Sequence, residues 1–141
     1  MKALVAIDGS ENALRALRYL LDHPDFFSAS PELVLFNVHL PLPSPRARAV
    51  LGSGVVEQYY KDEAEAALVP AREMLTGKST RVTEQLMVGQ PAIEIIAAAQ
   101  RHGCDLIVMG TQGRSALGNL LMGSVAMRVI ANSPIPVLSV K

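Results

Sequence analysis

Three glycines and a serine recur at fixed spacing in the last third of the chain, in the pattern Gly110-x2-Gly113-x9-Gly123-Ser124. Glycines allow a ligand to approach the backbone closely, and the free amides that open a helix bind anions. The pattern follows the apolar run 105–109, which is typical of a buried strand, and it leads into a helical pattern. Such a loop lies at the carboxyl end of a parallel sheet, where ligands bind. We therefore interpret it as a phosphate-binding loop.

Other glycine motifs fit this loop less well. It lacks the Gly-Lys-Ser/Thr ending of a Walker loop, and it does not contain the G-x-G-x-x-G spacing of dinucleotide-binding proteins. Around Ser115 the second glycine of a hydrolase nucleophile elbow is also missing. Single glycines after strands often serve only to form turns. The combined spacing, with Ser124 at the start of a helix, favours phosphate.

The elements that must position this loop follow from hydrophobic periodicity. Five short apolar or alternating runs are interleaved with four helical segments, which predicts an α/β fold with an open, mostly parallel, Rossmann-like sheet covered by helices on both faces. The predicted strands cover residues 2–7, 33–39, 81–88, 105–109 and 137–140.

Capping residues, prolines and glycines predict where the helices begin and end. Ser10 is placed to cap the first helix, and Pro91 suits the first position of another. Between residues 40 and 54, prolines and glycines predict a mobile loop. The helical segment that follows, about 55–76, contains Pro70, which is expected to kink or divide it.

Composition limits the functional classes. A chain of 141 residues predicts a single domain, 1–141, and its 13 basic and 13 acidic residues cancel, which disfavours nucleic acid as a partner. No apolar segment reaches the roughly 20 residues of a membrane-spanning helix, so no membrane partner is expected. Cys104 is the only cysteine, and the chain opens without a signal-like leader, so we expect a cytoplasmic protein. The three histidines show no metal-ligand spacing with Cys104.

The glycine pattern, preceded by Asp-Leu-Ile-Val-Met and followed by Val-Ala-x-x-Val, resembles that of the universal stress protein family. Val5-Ala6-Ile7-Asp8-Gly9-Ser10 resembles the first strand and turn of that family, and 88–92 and 136–140 resemble its third and last strands. Only residues 40–54 and the helix after them look idiosyncratic. The resemblance implies the sheet order 3-2-1-4-5 and, with every motif position kept, the ATP-binding branch of the family.

The resemblance also implies a set of nucleotide-binding residues. Asp8 would lie beside the ribose or a metal ion, and the backbone of Val38 would read the adenine. Met109 and Gly110 would flank the ribose, and the residues from Gly113 onward would hold the phosphates. The full set is Ala6, Asp8, Val38, Met109, Gly110, Gly113, Arg114, Gly123, Ser124 and Val125. The ligand would be ATP, ADP or AMP, with or without Mg²⁺.

Several side chains have two interpretations. Asp8 follows the first strand and would point into the crevice, yet it could also complement the dipole of the first helix. Arg114 could neutralise a phosphate or simply be solvated. His39 ends a strand and could line the crevice, although an ordinary loop-edge histidine is the simpler reading. The glutamates of the second helical segment, Glu63 among them, are interpreted as a solvated face.

Three functions remain open. The first is a nucleotide-binding stress-response regulator that acts through a conformational change or an unidentified protein partner, with movement expected in residues 115–122. The second is a slow ATPase that uses the same site. The third is an interaction protein in which the nucleotide is only structural. In the family the last strand makes the dimer contact, so we expect a homodimer through Val137–Val140.

Overall fold

A computed structural model describes residues 1–27, 31–42, 44–114 and 122–141. The strands are β1 (Lys2–Ala6), β2 (Glu32–His39), β3 (Arg81–Val88), β4 (Leu106–Gly110) and β5 (Val137–Val140). The helices are α1 (Glu11–Asp22), α2 (Pro24–Phe27), α3 (Pro45–Leu51), α4 (Ser53–Leu75), α5 (Pro91–Arg101) and α6 (Ser124–Asn132). The strands form one sheet in the order β3-β2-β1-β4-β5, and all four neighbouring pairs are parallel. The predicted fold and strand order are confirmed.

Helices cover both faces of the sheet. Successive side chains of a strand point to opposite faces, so β1 divides its apolar residues between two cores. Val5 packs with α1 and α4 in a cluster that includes Leu17 and Leu68. Leu4 packs on the other face in a cluster that includes Ile95 of α5 and Val129 of α6. Burial on both faces explains why the central strands are apolar at nearly every position.

The β1–α1 turn is tight and is fixed by a helix cap. The hydroxyl oxygen of Ser10 accepts a hydrogen bond from the amide of Ala13 at 3.2 Å, as the sequence predicts. Gly9 has φ 83°, a conformation that suits glycine. A Cβ at Gly9 would also lie 3.3 Å from Cα of Ala67, so α4 packs directly against this turn. The turn therefore holds Asp8 at the end of β1 in a defined place.

The prediction of a mobile loop over residues 40–54 is wrong, because the helix α3 forms at Pro45–Leu51. Proline is favoured in the first turn of a helix, and the residues after Pro45 are mostly good helix formers. The helix α4 then continues through Pro70 for 23 residues, so the proline does not divide it. The Ala66 carbonyl, which has no amide partner at Pro70, belongs to an exposed residue and can bind water. No helix within the described ranges is long and apolar enough to cross a membrane.

Candidate functional site

A cavity of about 470 Å³ opens where the carboxyl ends of β1, β2 and β4 meet the start of α6. Its volume lies in the range of small-molecule sites, roughly 300–1,000 Å³. All ten residues implied by the family resemblance line this one cavity, although they come from four separate parts of the chain. Of the segment 115–122 in which movement is expected, Met122 lines the cavity and the rest lies outside the described residues.

The three motif glycines have different structural roles. A Cβ at Gly110 would lie 2.8 Å from the carbonyl carbon of Asn12, so this glycine allows β4 to touch the first turn of α1. A Cβ at Gly113 would lie 2.8 Å from Oδ2 of Asp8, so this glycine makes room for the carboxylate. At Gly123 the nearest atom would be the Thr111 carbonyl oxygen at 3.5 Å, an ordinary contact. Among the described residues, Gly123 is therefore the motif glycine that no close packing contact requires.

The start of α6 offers free backbone amides to the cavity. Gly123 is the N-cap residue, and its own amide donates to the Thr111 carbonyl at 2.7 Å. The first amide bonded back within this helix is that of Met127, which donates to the Gly123 carbonyl at 3.0 Å. The amides of Ser124 and Val125 thus lack intrahelical acceptors, and no acidic residue lies in the first turn. The positive end of the helix is open to an anion.

Asp8 lies at the start of α1 and also in the cavity wall. Its Oδ1 accepts a hydrogen bond from the amide of Ser10 at 2.9 Å, and its Oδ2 accepts one from the amide of Arg114 at 3.0 Å. The carboxylate therefore ties the β1–α1 turn to the loop after β4. Arg114 extends its guanidinium towards α4, where Nη1 donates to Oε2 of Glu63 at 3.1 Å. Glu63 is thus partly solvated, with 34% of its side chain exposed, and is at the same time an ion-pair partner of a cavity residue.

The backbone of Val38 borders the cavity at the edge of β2. The amide of Ile7 donates to the Phe36 carbonyl at 2.9 Å on the side of β1. Backbone groups two residues apart in a strand face the same side, so Val38 also faces β1, beyond the point where that strand ends. The Ile7 carbonyl accepts instead from Nδ2 of Asn37 at 2.7 Å. On the side that faces β1, the amide and the carbonyl of Val38 therefore bond to no other backbone group of the described residues.

Sequence reasoning missed two polar residues of this cavity and undervalued a third. Oδ1 of Asn37, Nε2 of His39 and Oγ1 of Thr111 are buried and have no hydrogen-bond partner within the described part of the chain. All three residues line the cavity. Buried polar atoms nearly always have a partner, so these three call for a ligand or a water molecule. Asn37 had a detectable signal, because it is the one polar residue in the apolar run 33–38.

The electrostatics of the cavity mouth favour a neutral His39. Burial lowers the pKa of His39, Glu63 opposes this effect, and Arg114 lowers the pKa further.

Cys104 lies just before β4 and outside the cavity lining. Burial raises the pKa of its thiol, as expected of a packed cysteine. Within the described ranges, no cluster of three histidine, cysteine or acidic side chains could hold a metal ion.

A second cavity of about 540 Å³ lies between α3 and α4. Its lining residues are Ala49, Gly52, Ser53, Val56, Glu57 and Tyr60. None of them belongs to the glycine pattern. The cavity at the strand ends has the stronger set of converging polar groups.

The sequence profile of the universal stress protein family matches residues 1–141. The chain belongs to the universal stress protein family. A universal stress protein of Thermus aquaticus, encoded in the QAH/OAS sulfhydrylase 3' region, is 35% identical over 139 residues, which is 98% of this chain and 96% of that protein.

Solved structures of the family have the same fold. The structure of the hypothetical protein MJ0577 of Methanocaldococcus jannaschii superposes with a TM-score of 0.78 at 31% identity, covering 99% of this chain and 94% of that one. The universal stress protein from Archaeoglobus fulgidus in complex with dAMP gives a TM-score of 0.68 at 26% identity, covering 100% and 98% of the two chains. That relative binds an adenine mononucleotide.

Proposed function

We propose that this universal stress protein binds an adenine nucleotide, ATP or its relatives ADP and AMP, in the cavity at the strand ends. The observation that carries the proposal is that a single cavity combines an open helix N-terminus with the free backbone edge of Val38. The dAMP complex of the Archaeoglobus fulgidus relative supports the choice of adenine.

Each part of the ligand has a matching group. Adenine presents an amino donor beside a ring-nitrogen acceptor, and the carbonyl and amide of Val38 form the complementary pair. Asp8 and the adjoining Met109 would contact the ribose. The phosphates would take the amides of Ser124 and Val125, with Arg114 as the counter-charge. Ala6 and the glycines at 110, 113 and 123 would form the walls between these groups.

A Mg²⁺ ion that accompanies ATP would be held by Asp8 together with the phosphates. Mg²⁺ is usually bound through one or two carboxylates plus the phosphates of the substrate, so a cage made only of protein ligands is not needed. The cavity also fits the phosphates themselves, because no acidic residue lies in the first turn of α6. The residues present therefore suit a nucleotide with or without Mg²⁺.

At the level of the whole molecule, we propose a single domain, residues 1–141, that acts in the cytoplasm as a stress-response regulator. It would act through a nucleotide-dependent change in conformation or in protein partner. We further propose a homodimer through β5, which is an edge strand with all four residues half-buried. An edge strand leaves backbone groups free to pair with a second copy. A monomer in sedimentation at micromolar concentration would contradict the dimer.

Two measurements test the nucleotide proposal. Mass analysis of the small molecules released from freshly purified, denatured protein should identify an adenine nucleotide. Calorimetry should detect binding of added ATP, ADP or AMP to protein that has been stripped of ligand. At a ligand concentration of about 100 times Kd, stability should rise by about 2.7 kcal/mol, or about 9 °C in Tm for 141 residues. A purified protein that releases no nucleotide and shows no binding at millimolar ATP would contradict the proposal.

A glycine variant tests the location of the site. Gly123→Ala should fold with a loss of stability of no more than about 1 kcal/mol, since its Cβ makes only ordinary contacts and alanine is a poorer N-cap than glycine. It should weaken nucleotide binding by about tenfold or more, because the methyl group narrows access to the helix amides. Gly54→Ala is the matched control, because Gly54 has open space around its Cβ position and lies outside the cavity lining. Equal binding by both variants would exclude the start of α6 as the phosphate site.

A further inference from the structure

Glu63 does not line the cavity itself but pairs with Arg114, which does. It lies on the face of α4 that also carries Tyr60 and Ala67, because residues three and four apart share one side of a helix. Ala67 packs under Gly9 at the β1–α1 turn. Tyr60 accepts a hydrogen bond from the amide of Leu42 at 2.8 Å through its hydroxyl oxygen. Both ends of this face are therefore anchored to the loops that border the cavity.

The carboxylate of Glu63 is bonded to the guanidinium group of Arg114, which a phosphate would also bind. Its Oε2 accepts a hydrogen bond from Nη1 of Arg114 at 3.1 Å, while the amide of Arg114 donates to Asp8. The backbone amide of Arg114 and one nitrogen of its guanidinium are thus each bonded to a carboxylate. The guanidinium keeps further N–H donors, so a phosphate that binds Arg114 has to share its single positive charge with Glu63.

The charge around the cavity makes this competition matter. Among the described lining residues, Arg114 is the only arginine or lysine, and residues 115–121 contain none in the sequence. His39 adds no positive charge near neutral pH, because burial and Arg114 lower its pKa more than Glu63 raises it. Asp8, Glu63 and Arg114 together carry a net negative charge. Every additional phosphate therefore enters a region that already has an excess of acid.

We propose that Glu63 is a specificity-determining residue that competes with the ligand for Arg114 and so lowers the preference of the site for ATP over AMP. The inference rests on the proposed nucleotide-binding function. The ligand class that it favours is the adenine mononucleotide, whose single phosphate can be held by the amides at the start of α6 without displacing Glu63.

The test is calorimetric titration of the full chain with ATP and with AMP, in the wild type and in Glu63→Gln. A partly exposed ion pair contributes about 0.2–1 kcal/mol, which corresponds to a change of about 1.4- to 5-fold in Kd. Glu63→Gln should therefore bind ATP up to about fivefold more tightly and should change AMP binding by a smaller factor. The gain should shrink when salt is raised from about 0.05 M to about 0.5 M, because screening weakens the repulsion.

Glu57→Gln is the matched control. Glu57 lies on the same helix but pairs with Lys61 at 3.2 Å, which is not a residue of the cavity lining. The control removes the same charge from α4 but does not touch the partner of Arg114. It should therefore leave the ratio of the ATP and AMP affinities unchanged. Glu63→Asp keeps the charge near Arg114 and should retain most of the wild-type ratio.

A double-mutant cycle separates competition from general repulsion. In an Arg114→Ala background, Glu63→Gln should lose at least about half of its effect on ATP binding. An undiminished effect would overturn the inference, and so would weaker ATP binding by Glu63→Gln alone, which would make Glu63 a support for Arg114. An unchanged ATP to AMP ratio in a protein that binds both nucleotides would overturn this inference and leave the proposed function standing. A wild type that binds neither nucleotide would overturn both.

Discussion

Replacing Gly110 with alanine should destabilise the protein by about 1–2 kcal/mol. The added Cβ would lie 2.8 Å from the carbonyl carbon of Asn12 and 3.0 Å from the amide nitrogen of Ala13. These are backbone atoms in the first turn of α1, so relief requires α1 to shift against β4. Overpacking of this kind costs roughly 1–3 kcal/mol, and the loss of chain entropy in the unfolded state returns about 0.4–1 kcal/mol.

The assay is equilibrium unfolding in urea, followed by circular dichroism, with calorimetric melting as a second measure. For 141 residues the unfolding entropy is about 0.3 kcal/mol/K, so the expected loss corresponds to about 3–7 °C in Tm. Gly123→Ala, with an ordinary nearest contact at 3.5 Å, should lose no more than about 1 kcal/mol, which is the cost of a poorer N-cap. Equal stability of the Gly110 variant and the wild type would refute the close contact between β4 and α1.

Three further changes probe other parts of the fold. Lowering the pH through about 6.5 should reduce stability, because burial depresses the pKa of His39 and the unfolded chain then binds more protons. His39→Gln should flatten this dependence, as urea unfolding at several pH values would show. Pro70→Ala should stabilise the protein by about 1–3 kcal/mol in the same assay, because alanine supplies the missing amide inside α4. Asn37→Ala should destabilise it by about 1–3 kcal/mol, since the Ile7 carbonyl loses its buried donor; a change below about 0.5 kcal/mol would contradict that role.

Features that depend on neighbours in the sequence could be predicted, and this covers most of the elements. The strands are short apolar runs because both faces of the sheet are covered. Ser10 caps α1 and Pro91 opens α5, as their residue types indicate. The strand order was not available from periodicity, which says nothing about which strands are neighbours, and it came from the family resemblance. The error at Pro45–Leu51 has a local cause, since the prolines and glycines around α3 hid a short helix between them.

Contacts between distant segments account for what local reasoning missed at the candidate site. Glu63 is one of several glutamates on α4, and only the packing of that helix under Gly9 brings it to Arg114, 51 residues away. His39 has an ordinary position at the end of β2, and its buried Nε2 becomes evident only when the cavity is formed. The long helix α4 belongs to the part of the chain that looked idiosyncratic by sequence. It contributes the carboxylate of Glu63, which we expect to lower the preference of the site for ATP over AMP.

The three glycines of the motif have different structural roles, so replacing each of them would test a different property of the protein. Gly110 is needed because α1 is close, Gly113 because Asp8 is close, and Gly123 is not needed by any contact of the described residues. A loss of binding in Gly110→Ala would therefore be ambiguous, since the fold itself should be weakened there. A loss of binding in Gly123→Ala, with at most a small loss of stability, would have to come from the cavity side of the loop. The affinity of that single variant is therefore the most direct measure of the ligand that we propose at the start of α6.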